Sequence, residues 1–181
     1  LLARKGVAMA ELESISHGTT LVTNAVIERR GASTGMLTTG GFRDVLDMAR
    51  ETRYDLFDLR LKFPTPLVPR NLRREVAERV KFDGTVDREL DLDAVRAAIS
   101  ELVDLGIEAL AICFLHSYAN PAHEKAAREL AEREFPELYI STSADIFSNM
   151  REFERWTTAT VNAYTQPLFD RYLQRLGDGL A

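Results

Sequence analysis

The sequence predicts an α/β domain in which helices flank a sheet, and three features of the chain indicate it. Strand-like and helix-like segments alternate from residue 74 to residue 143 in the order strand, helix, strand, helix, strand. Residues 109–115 are apolar throughout, which is typical of a strand buried on both faces of a parallel sheet. Residues 92–103 carry their apolar side chains on one stripe, as a helix packed against such a sheet does.

Composition excludes several classes of function. The chain has 181 residues, 45% of them hydrophobic, which is enough for a core of one domain. Its net charge is −5 and its arginines alternate with acids, so nucleic acid is not an expected partner. No apolar run approaches the roughly 20 residues that span a bilayer, so no membrane is expected either. The single cysteine, Cys113, cannot form an intrachain disulfide, which favours a reducing compartment such as the cytoplasm.

The opening element is predicted to be a strand followed at once by a helix. A strand carrying Leu12 and Ile15 ends near Ser16, and the helix that follows ends by Gly31. Such a junction points backbone N–H groups and the positive end of a helix dipole at one place, which suits an anion. The candidate binding and catalytic residues at this junction are His17, Gly18, Thr19, Thr20 and Asn24. Alternatively, a threonine caps the helix, Gly18 permits a tight turn, and His17 bonds a backbone carbonyl.

A second junction follows the strand predicted at residues 33–38. Thr38, Thr39, Gly40 and Gly41 precede a short helix at residues 42–48, and one interpretation is that they face the same crevice as the first junction. Ordinary turn chemistry is the interpretation that the residues favour. Residues 50–71 contain three prolines and form an irregular excursion, in which Glu51, Arg53 and Arg60 either reach a ligand or form local ion pairs.

The middle of the chain supplies the repeating strands and helices. Residues 74–82 alternate as one half-exposed strand and end at the turn signal of Asp83 and Gly84. Asp91 is a good N-cap for the helix that closes at Gly106. Another helix stops at Pro136 before a strand at residues 138–143. A long final helix spans residues 150–176, and Pro167 is predicted to kink or break it.

The residues after the central strand are the other candidate site. His116, Ser117 and Tyr118 lie where open α/β sheets place their ligands, at the carboxyl end of a strand. For His116, function and structure are equally good explanations, whereas His123, in the first turn of the next helix, is better explained by structure. Asn120 and the proline after it are explained as a helix start. No phosphate loop, GxGxxG, HExxH or GxSxG motif is present, and no metal ligands are predicted.

Several longer motifs resemble the hydantoinase/oxoprolinase family, specifically the N-terminal region of its A-type subunits. They occur in the family's order and cover nearly the whole chain: residues 16–24 (SHGTTLVTN), 28–32 (ERRGA), 37–44 (LTTGGFRD), 54–59 (YDLFDL), 67–69 (LVP), 115–124 (LHSYANPAHE), 151–155 (REFER) and 161–164 (VNAY).

The resemblance implies part of an actin-like, ribonuclease H-like ATPase domain, with a mixed sheet and flanking helices. It also implies that residues 1–181 are a piece of that domain, incomplete at both ends. The opening phosphate hairpin and the second lobe are expected to be absent from this piece. The activity implied is ATP-dependent activation of a cyclic amide (a hydantoin, 5-oxoproline or a lactam) or a ketone oxygen by phosphoryl transfer, with ATP and Mg²⁺. The isolated fragment is expected to be inactive.

Roles for individual residues follow from the same resemblance. His17, Thr19 and Thr20 are the expected catalytic residues, and the substrate or phosphate contacts are expected from Gly18, Asn24, Thr39, Gly40, Gly41, His116 and Ser117. The partners implied are a small-molecule substrate and a B-type subunit or domain, in an oligomeric assembly. The alternative is a non-catalytic scaffold that docks the partner subunit, in which case the polar junctions are helix caps.

Overall fold

The computed structural model describes residues 16–50, 52, 57, 58, 60, 61 and 63–180. The opening strand predicted through Leu12 and Ile15 lies outside the described residues, as do Glu51 and Arg53. The helices are α1 (Leu21–Ile27), α2 (Val45–Met48), α3 (Leu92–Asp104), α4 (Ala122–Glu134), α5 (Ser143–Ile146) and α6 (Glu152–Leu180), with a 3₁₀ turn at Arg70–Leu72. The strands are β1 (Thr34–Thr39), β2 (Arg73–Val76), β3 (Arg79–Val80), β4 (Val86–Arg88), β5 (Ala109–Cys113) and β6 (Tyr139–Thr142).

In the part of the chain that the structure describes, the main sheet has four parallel strands in the order β2-β1-β5-β6. Thr34 lies beside Ala109 and Ala109 beside Tyr139, so the strands begin at a common amino edge and end at a common carboxyl edge. All residues of β1 and β5 are buried, as expected for strands covered on both faces. The predicted α/β class with flanking helices is confirmed, and the antiparallel pairing in the described residues is that of the small β3-β4 hairpin.

Helices cover the sheet from both sides. Helices α3 and α4 pack on one face, where Ile99, Leu102 and Leu130 meet Leu37 and Ile112 of the strands. Helix α6 covers the other face through an apolar cluster whose members include Trp156, Ala159, Ala163, Met36 and Ala111. Among the described residues, none of the helices combines the length and the apolar composition that a bilayer span would need.

The strand predicted at residues 74–82 is wrong as a single element. It divides at Ala77 and Glu78, so β2 joins the main sheet while β3 turns away to pair antiparallel with β4. The division occurs because Glu78 is buried and its backbone N–H bonds the carbonyl of Val76, which bends the chain. The turn predicted at Asp83 and Gly84 closes the hairpin, with Gly84 at φ +84°.

Helix α6 runs the whole depth of the sheet without the break that Pro167 predicts. Its first turns lie at the carboxyl edge, where the guanidinium of Arg155 bonds the carbonyl of Phe114 just beyond β5. Its later turns lie at the amino edge, where Asp170 bonds the hydroxyl of Tyr139 at the start of β6. The carbonyl of Tyr164, one turn before the proline, accepts a hydrogen bond from the backbone N–H of Ala32 at 2.9 Å.

Candidate functional site at the carboxyl edge of the sheet

The topology places a crevice between the ends of β1 and β5. The chain leaves β1 toward β2 on one side and leaves β5 toward β6 on the other, so the direction of winding reverses between these two strands. Open α/β sheets bind ligands at such a switch point, outside the carboxyl ends of the strands. We call this place the switch-point crevice and define it by Thr39, Gly40 and Gly41 after β1 and His116 after β5.

Thr39 joins the two strands across the crevice. Its hydroxyl accepts the backbone N–H of Leu115 at 2.8 Å and donates to the carboxylate of Glu78. The other oxygen of Glu78 lies 2.7 Å from Nδ1 of His123, and all three side chains are buried. The Thr39 hydroxyl, both oxygens of Glu78 and Nδ1 of His123 are therefore held by protein groups, as buried polar atoms require, whereas Nε2 of His123 has no hydrogen-bond partner among the described residues. The role of Thr39 that the geometry shows is to fix the walls of the crevice.

The glycine amides at the crevice are already bonded. The N–H of Gly40 donates to the carbonyl of Val76 at 2.9 Å, and the N–H of Gly41 donates to Oε1 of Glu75 at 2.7 Å. A phosphate cradle needs N–H groups free to point at the anion, and a neighbouring carboxylate repels it. These two glycines therefore do not form such a cradle in this conformation. Gly41 has φ +87°, which accounts for the glycine at the turn.

His116 has one ring nitrogen without a protein hydrogen-bond partner among the described residues, a property it shares with His123, whose Nε2 also lacks such a partner. The residue is half-buried with φ +57°, and its Nδ1 is buried without a hydrogen bond to any described residue. Burial lowers the pKa of His116, and the positive charges of Arg155 and Arg79 lower it further. The imidazole is therefore neutral at pH 7, with one nitrogen to donate and one to accept.

A second buried polar network lies behind His116. The carboxylate of Glu124 accepts the N–H groups of Phe114 and Ala144, each at 2.8 Å, and the hydroxyl of Ser143 at 2.6 Å. The guanidinium of Arg155 donates to the same Ser143 oxygen at 3.2 Å and to the carbonyl of Phe114 at 3.1 Å.

Ser117 belongs to this network rather than to the open crevice. Its hydroxyl is buried and lies 3.1 Å from that of Ser143. Beside the crevice, the main sheet and the β3-β4 hairpin enclose an open cleft of about 450 Å³. Its charged residues mix both signs: Glu75, Glu78, Arg79, Asp87 and Arg88.

The opening segment lies at the other end of the sheet. The ring of His17 contacts that of Tyr172, with centroids 5.6 Å apart, and Nε2 bonds the tyrosine hydroxyl. Tyr172 stands on the part of α6 that meets the amino edge, 17 residues beyond Arg155. At a helical rise of about 1.5 Å per residue, roughly 25 Å of helix separates the two. The interpretation that both junctions face one crevice is therefore wrong.

The hydroxyls of the opening segment serve the helix locally. Thr19 Oγ1 accepts the N–H of Leu21 at 3.1 Å, and Thr20 Oγ1 accepts the side-chain amide of Asn24 at 3.3 Å. In both contacts the hydroxyl oxygen is the acceptor, so its proton can be donated elsewhere. Residues 16–20 are exposed, and a Cβ at Gly18 would meet nothing within 4 Å.

The donor set at the crevice does not fit a metal or a triphosphate. Among the described residues, no group of three or more His, Cys, Asp or Glu side chains is arranged to hold a metal ion. The bonded glycine amides leave no anion cradle there. We therefore assign no magnesium or phosphate ligand at the switch-point crevice.

Sequence reasoning missed the buried partners that shape this site. The sequence pattern predicts Glu78 inside a half-exposed strand, and it indicates no role for Glu124, Ser143 or Arg155. His123 is held by Glu78 through Nδ1, a contact consistent with the structural explanation. The sequence did contain one signal for Glu124 and Arg155. Charged residues occupy positions that the helical spacing places on the buried faces of α4 and α6.

The fold and the crevice define an open parallel α/β domain with a polar site at its topological switch point. A model of the hydantoinase/oxoprolinase N-terminal region matches residues 1–135, so the chain belongs to the hydantoinase/oxoprolinase family. It is 34% identical over 170 residues to caprolactamase subunit alpha of Pseudomonas jessenii, a match that covers 93% of this chain and 24% of that protein.

Solved structures agree with this assignment. The crystal structure of the ATP-dependent caprolactamase from Pseudomonas jessenii superimposes with a TM-score of 0.90 and 31% identity, over 99% of this chain and 27% of that one. The nucleotide-free structure of acetone carboxylase, a protein described with the mechanism of ATP-dependent acetone carboxylation, superimposes with a TM-score of 0.83 and 28% identity. This match covers 99% of this chain and 28% of that one. The chain thus spans about a quarter of the length of these relatives.

Proposed function

We propose that this chain is part of an ATP-dependent enzyme that activates the oxygen of a cyclic amide or a ketone by phosphoryl transfer. Support comes from the relatives, one named an ATP-dependent caprolactamase and the other described by ATP-dependent acetone carboxylation. The observation that carries the proposal is the neutral imidazole of His116, whose buried Nδ1 has no described partner, at the switch-point crevice.

In this proposal, His116 is the residue that hydrogen-bonds the carbonyl oxygen of the substrate. A neutral imidazole carries one N–H group and can donate it to a carbonyl oxygen. Thr39 and Glu78 hold the two strand ends at a fixed separation, which keeps the substrate oxygen in place.

The opening segment is proposed for a different contact. His17, Gly18, Thr19 and Thr20 are exposed, and the threonine hydroxyls retain a proton to donate to a phosphate or substrate oxygen, with Asn24 supporting Thr20. Because the segment lies at the amino edge, it would meet a group other than the one at the crevice. We also propose a partner subunit of the B type, since the related caprolactamase protein is itself named as a subunit.

The test is ATP hydrolysis by the full-length protein with its partner subunit, measured as phosphate release with a panel of lactams, hydantoins, 5-oxoproline and ketones. The key variant is His116→Asn, because asparagine tolerates the left-handed backbone at φ +57°. We expect one class of substrate to stimulate hydrolysis and His116→Asn to lower the stimulated kcat/KM by about 10²-fold. Glu129→Gln, an exposed change on α4, is the matched control and should behave as wild type.

Two outcomes would contradict the proposal. If no member of the panel stimulates ATP hydrolysis, the proposed activity is rejected and a scaffold role is favoured. Stimulation that survives His116→Asn would place the substrate carbonyl away from the switch-point crevice. Thr19→Ala, run beside these variants, tests the opening segment in the same assay.

A further inference from the structure

The backbone at the end of β5 is held by two buried charges of opposite sign. Phe114 follows β5 directly, and both polar groups of its backbone are engaged by side chains. Its N–H donates to Glu124 at 2.8 Å, and its carbonyl accepts from Arg155 at 3.1 Å. Glu124 stands on α4 and Arg155 on α6, so the clamp joins the helical layers on opposite faces of the sheet.

Arg155 makes more contacts than a packing role requires. Its side chain is fully buried, and it also donates to the backbone carbonyls of Asn149 at 2.6 Å and Met150 at 3.3 Å. Its guanidinium carbon lies 5.5 Å from the centre of the Tyr118 ring, and that ring stands edge-to-face with His116 at 5.9 Å. Arg155 thereby touches the residues on both sides of His116 along the chain.

Ser143 connects the two charges. Its hydroxyl donates to Glu124 and accepts from Arg155, and it lies 3.1 Å from the hydroxyl of Ser117, the residue after His116. Burial raises the pKa of Glu124 and lowers that of Arg155, whereas the hydrogen bonds to Glu124 oppose its shift. Burying two charged side chains costs free energy, and a buried pair of charges can often be replaced by apolar side chains without loss of stability. The presence of these two charges therefore favours a role beyond stability.

We propose that Arg155 and Glu124 are positioning residues for His116: by clamping the Phe114 peptide from both faces of the sheet, they hold the left-handed loop that aims the imidazole into the switch-point crevice. This inference rests on the proposed function for its catalytic consequence. Arg155 has a second effect that Glu124 lacks, because its charge opposes protonation of the imidazole. The other charged groups facing His116 are Arg79 of the hairpin, Glu152 of α6 and Glu78 after β2.

The test uses the full-length protein with its partner subunit and the variants Arg155→Lys, Arg155→Met and Glu124→Gln. Lysine keeps the charge but cannot reach the several acceptors that the guanidinium fork reaches. Glutamine keeps the shape of Glu124, but its NH₂ group is a donor and would face N–H and O–H groups that also donate. Arg171→Met, an exposed arginine on the same helix, is the matched control.

The first readout is the pH dependence of carbethoxylation of His116, followed by peptide mass spectrometry, since only the neutral imidazole reacts. We expect the pH midpoint of the carbethoxylation of His116 to rise in Arg155→Met. The same midpoint should stay as in wild type in Arg155→Lys, Glu124→Gln and Arg171→Met. This readout needs no enzyme activity, so it tests the effect of the Arg155 charge on His116 whether or not the proposed function holds.

The second readout is the split between kcat and KM in substrate-stimulated ATP hydrolysis. Arg155→Lys and Glu124→Gln should each lower kcat by roughly 10²-fold with KM little changed, because a misplaced hydrogen-bond donor weakens the transition state rather than binding. Unchanged kcat in both variants would overturn the positioning role, and an unchanged midpoint in Arg155→Met would overturn the charge effect. If Arg155→Met does not fold, Arg155→Lys and Glu124→Gln still decide the positioning role.

Discussion

At the scale of single residues, position 31 requires a glycine because a neighbouring side chain lies too close for a Cβ. The end of helix α1 does not require it. The helix ends at Ile27, and the left-handed position after it belongs to Arg29 at φ +56°. A Cβ built on Gly31 would lie 2.1 to 2.5 Å from ring atoms of Tyr164, far inside van der Waals contact. The glycine therefore lets the segment before β1 approach helix α6, where Ala32 bonds the Tyr164 carbonyl.

Gly31→Ala should destabilise the chain by about 1–3 kcal/mol, because the added methyl group forces the Tyr164 ring or the backbone to move. The measurement is urea unfolding of the 181-residue chain, followed by the fluorescence of its single tryptophan, the fully buried Trp156. The matched control is Gly177→Ala in α6, where a Cβ meets nothing within 4 Å. That change should be neutral or stabilising by up to about 1 kcal/mol. Equal stability of the two variants would contradict the close-approach argument.

At the scale of elements, α3 shows how a local signal fixes a boundary. Asp91 lies before the first turn in an extended conformation, and its carboxylate accepts the N–H groups of Asp93 at 2.9 Å and Ala94 at 3.2 Å. The C-terminal end is closed by Gly106 at φ +78°. Between these ends, Val95, Ile99 and the rest of the buried stripe pack on the sheet.

Asp91→Ala should lower the free energy of unfolding by about 1 kcal/mol, since two N–H groups of the first turn lose their acceptor. Asp91→Asn should recover most of this loss, because the amide oxygen can accept the same bonds. Urea unfolding followed by Trp156 fluorescence measures both. A loss in Asp91→Asn as large as in Asp91→Ala would show that the charge at this position matters and the cap geometry does not.

At the scale of the whole molecule, helix α6 spans the distance between two polar regions. Arg155 near its start helps to build the carboxyl edge, and Tyr172 near its end contacts His17. The parallel arrangement of the described strands of the main sheet puts the carboxyl ends of β1 and β5 together and leaves the opening segment at the opposite edge.

This separation predicts how two variants combine in the full-length protein. The effects of Thr19→Ala and His116→Asn on the free energy of activation for substrate-stimulated ATP hydrolysis should add to within about 0.5 kcal/mol, as expected for sites with no shared partner. The measurement is a double-mutant cycle on kcat/KM. A coupling energy of about 1 kcal/mol or more would indicate that both residues serve one reacting group, and the two-region arrangement would then not describe the working enzyme.

Local patterns were sufficient for most of the elements. The apolar run at 109–115 identified the central strand, Asp91 identified a helix start, and Asp83 with Gly84 identified a hairpin turn. Each of these depends on residues close in sequence, such as a cap three positions from its donor or a strand covered along its whole length. The division of the strand after Val76 was not predictable in this way, because its cause is the burial of Glu78 against Thr39 and His123, which are distant along the chain.

The sequence by itself determined that this protein is an α/β domain with polar strand ends, and its motifs determined the family. Only the tertiary structure decided which polar residues meet. It joined Thr39 to Glu78, brought the positive charge of Arg155 near His116, and placed His17 at the far edge beside Tyr172. The physical reason is that periodicity, caps and turns act over a few residues, whereas strand order and the path of a long helix bring together groups far apart in the chain.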